Sequence, residues 1–324
     1  MRIPILLLSL AWLVPSTVGA AEGTVEIAIV GDIMVAETPG DMIARGEDPF
    51  LPFAAWLRGA DLRIGNLECV VATGGVAEVK PYTFRAHPRT LPVLAKYFDA
   101  FSVANNHSGD FGKAAFAEQL QLMRDAGMPY FGGGDNLEQA HAPWIVERNG
   151  VRIAFLGYDE FKPRAFEATA TGPGVAWSGE DEQVIEDIIA ARERHGADLV
   201  IPYLHWGWED EGYSSERQRV FAHAMIDAGA DMVVGAHPHV TQGAEVYKGR
   251  PIVYSLGNFL FNGFDTPATL TGWTLKVTMD KAGVVAWRTY VARLDGNGVP
   301  HPDFTAASPC GKRGDARIGE CRGE

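Results

Sequence analysis

The stretch WIVERNGVRIAFL, residues 144–156, indicates the fold class of this chain. Two apolar runs rich in β-branched and aromatic residues flank Asn149 and Gly150, and an Asn-Gly pair between such runs predicts a two-residue β-hairpin. Similar hairpins are predicted at Lys248 and Gly249 and at residues 281–283. Because a hairpin joins antiparallel strands, the sheets of this protein are not purely parallel.

Outward from this hairpin, short strand patterns alternate with segments that carry apolar residues at helical spacing, which is typical of an α/β domain. The predicted strands are 25–30, 61–64, 99–104, 151–156, 198–204 and 231–234, and the predicted helices are 111–126, 179–195 and 214–228. We therefore predict two packed mixed β-sheets flanked by helices, in one domain from residue 23 to residue 295. Residues 296–324 are predicted to form a C-terminal tail.

The composition is that of an acidic globular protein. The 324 residues are 47% hydrophobic and 21% charged, with a formal net charge of −13. This balance favours a buried core and disfavours long-range attraction to nucleic acid. We therefore expect no nucleic-acid partner.

Residues 1–20, MRIPILLLSLAWLVPSTVGA, have the pattern of a cleaved signal peptide. Arg2 is followed by an apolar stretch to Val14 and by small residues that end at Ala20. The alternative is an uncleaved anchor, but an apolar run of about 12 residues is shorter than the roughly 20 that a membrane-spanning helix needs. We expect a periplasmic or secreted protein with no stable membrane insertion after the signal is removed.

The three cysteines suit an oxidising compartment only in part, since two of them are able to pair and one is left over. Cys310 and Cys321 lie in the polar tail, where we predict a disulfide between them. Cys69 follows an apolar strand pattern and is predicted to be a buried small hydrophobic residue rather than a nucleophile.

Five apolar runs end in the same way, with a small residue near Asp, Asn, Glu or His. The endings are Gly31-Asp32, Gly65-Asn66-Leu67-Glu68, Asn105-Asn106-His107, His205-Trp206-Gly207 and Gly235-Ala236-His237-Pro238-His239. Because the carboxyl ends of strands in an open α/β sheet face a common crevice, we expect these side chains to converge. Carboxylate, amide and imidazole groups suit a divalent ion such as Mn, Fe or Zn, or Mg where oxygen ligands dominate.

These segments, in this order, resemble the poly-γ-glutamate capsule biosynthesis (CapA) family, a branch of the calcineurin-like metallophosphoesterase superfamily. The resemblance runs from about residue 25 to residue 262, and it is carried by GDIM, GNLE, ANNH, HWGWE and GAHPHVTQGAEVYKGRPIVYSLGNF. It implies a four-layer sandwich fold and an exported, phosphoesterase-like hydrolase that uses a metal-activated water. It also implies three classes of partner: a small-molecule phosphoester, an anionic surface polymer and capsule synthase subunits.

The resemblance further implies roles for individual residues. One or two divalent ions would be bound by Asp32, Asn66, Glu68, Asn106, His205, His237 and His239. The superfamily pattern assigns Asp32 and His239 to one ion and Asn106, His205 and His237 to the other, with a bridging carboxylate between them. The segment NNHSGDFG, residues 105–112, is similar to a segment of secreted 5′-nucleotidases, which implies that His107 is the catalytic imidazole and that Asp110 orients it.

The sequence departs from the superfamily pattern at two positions. Met34 stands where an Asp-x-His motif has its histidine, and Asn66 stands where a bridging aspartate is expected. Glu68 lies two residues further along, on the same side of an extended strand, where it is able to supply the missing charge. The alternative function is therefore a polymer-handling or non-catalytic component of capsule biosynthesis with a partly degenerate metal site.

Several candidate residues also have a purely structural interpretation. His237 and His239 suit a surface loop, and His205 suits a hydrogen-bonded core position. Asn106 suits a left-handed turn, and Asp110 suits the N-cap of the helix that follows it. The nearby aromatic residues suit either a substrate wall or the core, and they are Trp206, Trp208, Tyr213, Phe261 and Phe264.

Overall fold

The structure is a computed structural model that describes residues 23–161, 164 and 166–323. The predicted signal peptide, residues 1–20, lies outside the described residues. Within the described part of the chain, none of the helices combines the length and the apolar character needed to span a bilayer.

The strands form two large sheets and two short ribbons. The strands are β1 (Thr24–Ile33), β2 (Leu62–Leu67), β3 (Val70–Val71), β4 (Arg85–Ala86), β5 (Ala100–Ser102), β6 (Tyr130–Phe131), β7 (Gly133–Gly134), β8 (Trp144–Arg148), β9 (Val151–Asp159), β10 (Gly174–Val175), β11 (Leu199–His205), β12 (Val233–Ala236), β13 (Ala244–Tyr247), β14 (Arg250–Val253), β15 (Asn258–Leu260), β16 (Thr271–Asp280), β17 (Gly283–Leu294), β18 (Pro300–Asp303), β19 (Ser308–Lys312) and β20 (Gly319–Cys321). The helices are α1 (Glu37–Ala44), α2 (Ala54–Arg58), α3 (Leu91–Leu94), α4 (Gly112–Asp125), α5 (Leu137–His141), α6 (Asp181–Glu193) and α7 (Glu216–Asp227), with 3-10 turns at Leu51–Phe53 and Pro88–Thr90.

Both large sheets are mixed. The first has the order β20-β19-β17-β16-β1-β2-β5-β6, with β15 beside β1 and β18 beside β17, and the second has the order β13-β14-β12-β11-β9-β8. Strands β1, β2, β5 and β6 pair in parallel, as do β9, β11, β12 and β14. The parallel strands of each sheet therefore end at a common edge.

The three predicted hairpins are confirmed. Asn149 and Gly150 join β8 to β9 with φ values of 51° and 78°, which a type I′ turn requires. Lys248 and Gly249 join β13 to β14 in the same way, with φ values of 49° and 77°. The third hairpin joins β16 to β17 through Lys281 and Ala282, and Asp280 pairs with Gly283 across the turn.

Side chains alternate between the two faces of the central strands, and this alternation produces four layers. Val25, Ile27 and Ile29 of β1 pack with Phe155 of β9 in the core between the two sheets. The outer face of the first sheet packs against α1 to α4, and the outer face of the second packs against α6 and α7. The predicted fold class, two packed mixed sheets flanked by helices, is confirmed.

The first sheet continues beyond residue 295. Strands β18 and β19 both pair with β17, and β20 pairs with β19. The predicted disulfide between Cys310 and Cys321 joins β19 to β20, and Cys69 is buried as predicted. The domain limit at residue 295 stays a prediction, and strands of the predicted tail take part in the main sheet.

Candidate metal centre

Four of the predicted ligands lie where strands of the first sheet end. Asp32 on β1 lies opposite Asn66 on β2, and Glu68 follows directly after β2. Asn106 follows β5, the next strand of the same sheet. The common edge expected from the sequence therefore brings these side chains together.

The second sheet supplies three histidines. His205 ends β11 and lies opposite Ala236, the last residue of β12. His237 and His239 follow with φ values of 96° and 57°, a region that non-glycine residues rarely adopt. Both side chains are buried, so the surface-loop interpretation is wrong. Backbone strain of this kind persists only where the surrounding structure holds it, and it clusters at functional sites.

Hydrogen bonds connect the two groups of side chains across the gap between the sheets. Asn66 Nδ2 donates to Asp32 Oδ1 at 2.8 Å and lies 3.2 Å from His205 Nδ1. His205 Nε2 lies 2.8 Å from Asn106 Oδ1 and 3.1 Å from His237 Nδ1. The backbone N–H of His237 donates to Asp32 Oδ2 at 3.2 Å. These contacts form one cluster from residues distant in sequence.

Glu68 lies at the middle of this cluster. Its Oε1 is 3.4 Å from His205 Nε2 and 3.7 Å from His239 Nε2. Two groups of side chains have ligand atoms within 4.8 Å of one another: Glu68 with His237 and His239, and Glu68 with Asp32 and His205. This grouping differs from the predicted division of ligands between two ions. Glu68 belongs to both groups, which is the position that a bridging carboxylate requires.

Burial controls the protonation of the cluster. Burial raises the pKa of Glu68 well above its ordinary value, and the nearby Asp32 carboxylate raises it further. Burial also raises the pKa of Asp32, and His239 opposes this rise. Burial lowers the pKa values of His205 and His237 well below the ordinary value, and neighbouring histidines add to this effect. The imidazoles are therefore neutral and have lone pairs available for a cation.

The side chains of the cluster fit a divalent cation. Glu68 is fully buried, yet neither of its carboxylate oxygens accepts a hydrogen bond from a described donor. His237 Nε2 is likewise buried without a hydrogen-bond partner among the described residues. Buried polar atoms are normally paired, and an unpaired buried carboxylate is costly. A cation with carboxylate, amide-oxygen and imidazole ligands would satisfy these atoms.

The two positions that depart from the superfamily pattern both have protein partners. Asn66 donates to Asp32, and its amide oxygen accepts a hydrogen bond from Asn105 Nδ2 at 3.0 Å. Met34 is buried in the outer core, and its sulfur lies 3.2 Å from the backbone nitrogen of Ala36. The geometry favours a supporting role for Asn66, whose role as a ligand stays a prediction.

His107 and Asp110 form a buried pair beside the cluster. His107 Nδ1 lies 2.8 Å from Asp110 Oδ2, and the backbone N–H of Phe84 donates to the same oxygen at 2.6 Å. The other oxygen of Asp110 pairs with Lys80. Helix α4 has no side-chain N-cap, so the N-cap interpretation of Asp110 is wrong. The carboxylate contacts the imidazole instead.

Aromatic rings surround the histidines. The rings of Phe261 and Phe264 lie 5.1 Å and 4.8 Å from the His239 ring, so these two predicted wall residues contact the cluster. Trp206 belongs to the outer core of the second sheet. The other two candidates, Trp208 and Tyr213, are 66% and 87% exposed.

Sequence reasoning missed three residues of the site. Asp159 ends β9 opposite His205, and burial raises its pKa to about 7. The apolar run before it, VRIAFLGY, ends like the other five, so the signal was present in the sequence. Phe161 follows it, with its ring 5.0 Å from the His237 ring. Lys80 lies in a segment without strand or helix periodicity, and no sequence pattern pointed to it.

This fold and this cluster define an α/β protein with a polar centre between the strand ends of two packed sheets. Residues 26–263 match the family described as Bacterial capsule synthesis protein PGA_cap. The chain belongs to this family, and the family predicted from the sequence is confirmed.

Curated relatives agree with this assignment. The chain is 33% identical over 260 residues to the capsule biosynthesis protein CapA of Bacillus anthracis, an alignment that covers 76% of this chain and 60% of that protein. It is 32% identical to the PGA biosynthesis protein CapA of Bacillus subtilis (strain 168), covering 78% of this chain and 66% of that protein. The alignment therefore spans less than two thirds of the length of either relative.

A solved structure shares the fold. The crystal structure of a hypothetical protein from Thermus thermophilus superimposes with a TM-score of 0.53 and 16% sequence identity, over 82% of this chain and 98% of that chain. At this identity the likeness concerns the fold alone.

Proposed function

We propose that the chain is an exported metal-dependent hydrolase of the phosphoesterase type that acts in capsule biosynthesis. One observation carries the proposal: Glu68 is fully buried among His205, His237 and His239, and neither of its carboxylate oxygens accepts a hydrogen bond from a described donor. Such an arrangement is unfavourable without a cation and is ordinary with one.

The side chains that would hold one or two divalent ions (Mn, Fe, Zn or Mg) are those that face the cluster, namely Asp32, Glu68, Asn106, His205, His237 and His239. When bound, such an ion stabilises the negative charge that develops on a reacting phosphoester. The chain contributes the fixed positions of the ligands, which strained backbone and hydrogen bonds between the sheets maintain.

His107 is suited to move a proton beside the cluster. Asp110 accepts a hydrogen bond from Nδ1 of His107, which fixes the ring orientation and leaves Nε2 free of this contact. When the ring carries both protons, Nε2 is able to give one to a leaving oxygen and then remains as the acceptor nitrogen of the neutral ring. The ring of Phe84 packs 4.5 Å from the imidazole ring and restricts its movement. The pair therefore resembles the oriented acid–base groups of other hydrolases.

The substrate class and the location are also part of the proposal. The pattern of residues 1–20 supports export to the periplasm or beyond, and membership of the capsule synthesis family supports an anionic surface polymer, or a phosphoester related to it, as the substrate. Capsule synthase subunits are the proposed protein partners. A net charge of −13 repels a polyanion at long range, so binding has to come from local groups.

A second candidate function is a polymer-handling or non-catalytic component of capsule biosynthesis. The observation that favours it is the loss of two expected ligands, because Met34 is part of the outer core and Asn66 is occupied by protein partners. A scaffold with a decayed site would hold no stoichiometric metal.

Elemental analysis of the mature protein, combined with a substrate panel, separates these functions. The panel contains aryl phosphates, nucleotides, phosphodiesters and γ-glutamyl peptides. We expect a stoichiometric divalent metal and metal-stimulated cleavage, loss of the metal in His237→Ala, and retention of the metal in His107→Ala with turnover reduced by about 10²- to 10⁴-fold. His223→Ala, which alters a half-buried histidine paired with Glu245, is the matched control. Wild-type protein without bound metal and without metal-stimulated cleavage would reject the hydrolase and favour the scaffold.

A further inference from the structure

Lys80 brings a positive charge to the candidate centre. Its Nζ pairs with Asp110 Oδ1 and donates to the backbone carbonyl oxygen of Asn106 at 2.9 Å. Among the hydrogen bonds and ion pairs of the described residues, these are the ones that bring a Lys or Arg side chain to the predicted ligands or to the pair of His107 and Asp110. Lys80 is therefore the cationic side chain of this site within the described part of the chain.

One proton of the Lys80 ammonium group is available to a ligand. An ammonium group has three N–H donors; the Asn106 carbonyl oxygen accepts one of them, and the ion pair with Asp110 Oδ1 occupies a second. The third has no acceptor among the described residues, and the Lys80 side chain is 31% exposed. A ligand that enters beside His107 is thus able to accept this proton in a hydrogen bond.

The segment that carries Lys80 is held in place at several points. The backbone N–H of Glu78 donates to the carbonyl oxygen of Asp110 at 2.8 Å. Further back, the Glu118 carboxylate accepts hydrogen bonds from the backbone N–H groups of Thr73 and Gly74 at 2.9 Å and 3.1 Å. Lys80 therefore reaches the site from a positioned segment, which lowers the entropic cost of binding a ligand.

The surroundings of Lys80 are rich in carboxylates. Asp32, Glu68, Asp110 and Asp159 are all buried near the centre, in a chain of net charge −13. The charge of Lys80 lowers the pKa of Asp159 against the larger effect of burial, so it acts across the site. An anionic substrate needs a local cation to approach such a centre.

We propose that Lys80 binds an anionic oxygen of the substrate, phosphoryl or carboxylate, next to His107, and so helps to determine which substrates the site accepts. This inference rests on the proposed function, because it assigns the substrate contact of the same site. A charge-assisted hydrogen bond from an ammonium group to an anion is about twice as strong as a neutral one.

Calorimetric titration with two anions tests the assignment. Protein of measured metal content is titrated with inorganic phosphate and, separately, with γ-glutamylglutamate. Lys80→Met is expected to weaken the binding of the preferred anion by about tenfold or more, whereas Lys80→Arg stays within about threefold of the wild type. The matched control is Lys96→Met, which removes the same charge from a lysine near Asp48, and it should leave the affinity unchanged. Lys80-dependent binding of phosphate indicates a phosphoryl substrate, and Lys80-dependent binding of the dipeptide indicates an acidic polymer.

The failure of this inference can be told apart from the failure of the proposed function. Protein that holds no metal but binds an anion through Lys80 rejects the metal-dependent hydrolase and keeps the role of Lys80. Protein that holds metal, and whose affinity for both anions is the same in wild type and Lys80→Met, overturns the role of Lys80. So does wild-type protein that binds neither anion.

A measurement on wild-type protein covers the case in which Lys80→Met does not fold. Acetylation of lysines is followed by mass spectrometry with and without the preferred anion. The anion should slow the modification of Lys80 at least about threefold relative to Lys96. Equal rates for Lys80 with and without the anion would overturn the assignment.

Discussion

Buried or half-buried acids lie at both ends of the parallel strands, but the hydrogen bonding of their carboxylates differs. At the amino ends, an aspartate stands one or two residues before each of β2, β5, β11 and β12, and these are Asp61, Asp99, Asp198 and Asp231. Each carboxylate accepts a hydrogen bond of 2.9 Å from a backbone N–H on the neighbouring strand. Each aspartate also donates its own N–H to the carbonyl of that same neighbour. These aspartates hold adjacent strands in register.

At the carboxyl ends, Asp32 and Asp110 also accept hydrogen bonds, but Glu68 accepts none from a described donor. Asp231 is almost fully buried and pairs with both Arg192 and Arg250, whereas Glu68 is fully buried and accepts no hydrogen bond from a described donor. A buried charge is tolerated when it is paired, and a perturbed, unpaired one marks a functional site. The comparison teaches that burial alone does not distinguish Glu68 from the aspartates at the amino ends, whereas the absence of a described hydrogen-bond donor does.

Replacing the paired acid should have the largest effect on stability. Asp231→Ala leaves two guanidinium groups without their partner and removes the hydrogen bond to Val200 N–H. We expect the free energy of unfolding to fall by about 3–5 kcal/mol, measured by urea denaturation, with the metal content unchanged. Asp198→Ala is the matched control, because its carboxylate makes the same backbone contact but is 27% exposed, and it should cost about 1 kcal/mol. Equal losses for the two variants would contradict the comparison.

Replacing Glu68 should have the opposite effect: metal affinity should fall, whereas the stability of the metal-free protein should not. Glu68→Gln removes the carboxylate that is common to both groups of ligand atoms. We expect the affinity for the divalent metal to fall by about 100-fold, which is roughly 2.7 kcal/mol, as measured by competition with a chelator. The metal-free protein should not lose stability, because no hydrogen bond from a described donor to Glu68 is broken. A variant that binds metal as the wild type does, and unfolds more readily, would assign Glu68 a purely structural role.

The sequence was sufficient to predict the elements that position the site. Strands such as β9 and β11 have long apolar runs, and small residues followed by polar ones mark where they end. Both the strands and their carboxyl ends could therefore be predicted from the sequence. The rule that parallel strands end at one edge predicted that Asp32 lies beside Asn66 in the first sheet and that His205 lies beside the end of β12 in the second. The hairpins at Asn149-Gly150 and Lys248-Gly249 could be predicted because each turn contains Gly, which readily adopts positive φ, between two apolar runs.

The sequence was not sufficient to predict which partners meet across the molecule. Gly235 is a small residue before the histidine turn, but a side chain there would lie 2.0 Å from the carbonyl oxygen of Tyr254, a contact that depends on tertiary packing. Lys80 reaches Asp110 from a segment without periodicity, so no pattern indicated it. The aspartates before the strands were visible in the sequence, but their backbone partners lie 31 to 46 residues away.

The smallest expected effect is a difference in pH dependence. His205 and His237 have lowered pKa values because they are buried, so in metal-free protein they stay neutral in the folded state while the unfolded chain takes up protons near pH 6.5. Stability is therefore lost as the pH falls through this value, by at most about 1.4 kcal/mol per histidine per pH unit. Glu68 has the opposite effect on the free energy of unfolding. Its raised pKa keeps it protonated in the folded state, while in the unfolded chain it ionises above pH 4.5. Its contribution to stability is therefore lost as the pH rises.

The variants His237→Ala and Glu68→Gln should therefore change the pH dependence of the free energy of unfolding in opposite directions. Unfolding of chelator-treated protein is measured from about pH 7.5 to about pH 5.5. His237→Ala removes one neutral histidine and should make the loss of stability towards acid shallower, whereas Glu68→Gln removes the opposing carboxyl group and should make it steeper. Parallel curves for both variants and the wild type would mean that these groups keep ordinary protonation in the fold, and the contrast between the two ends of the strands would then lose its electrostatic basis.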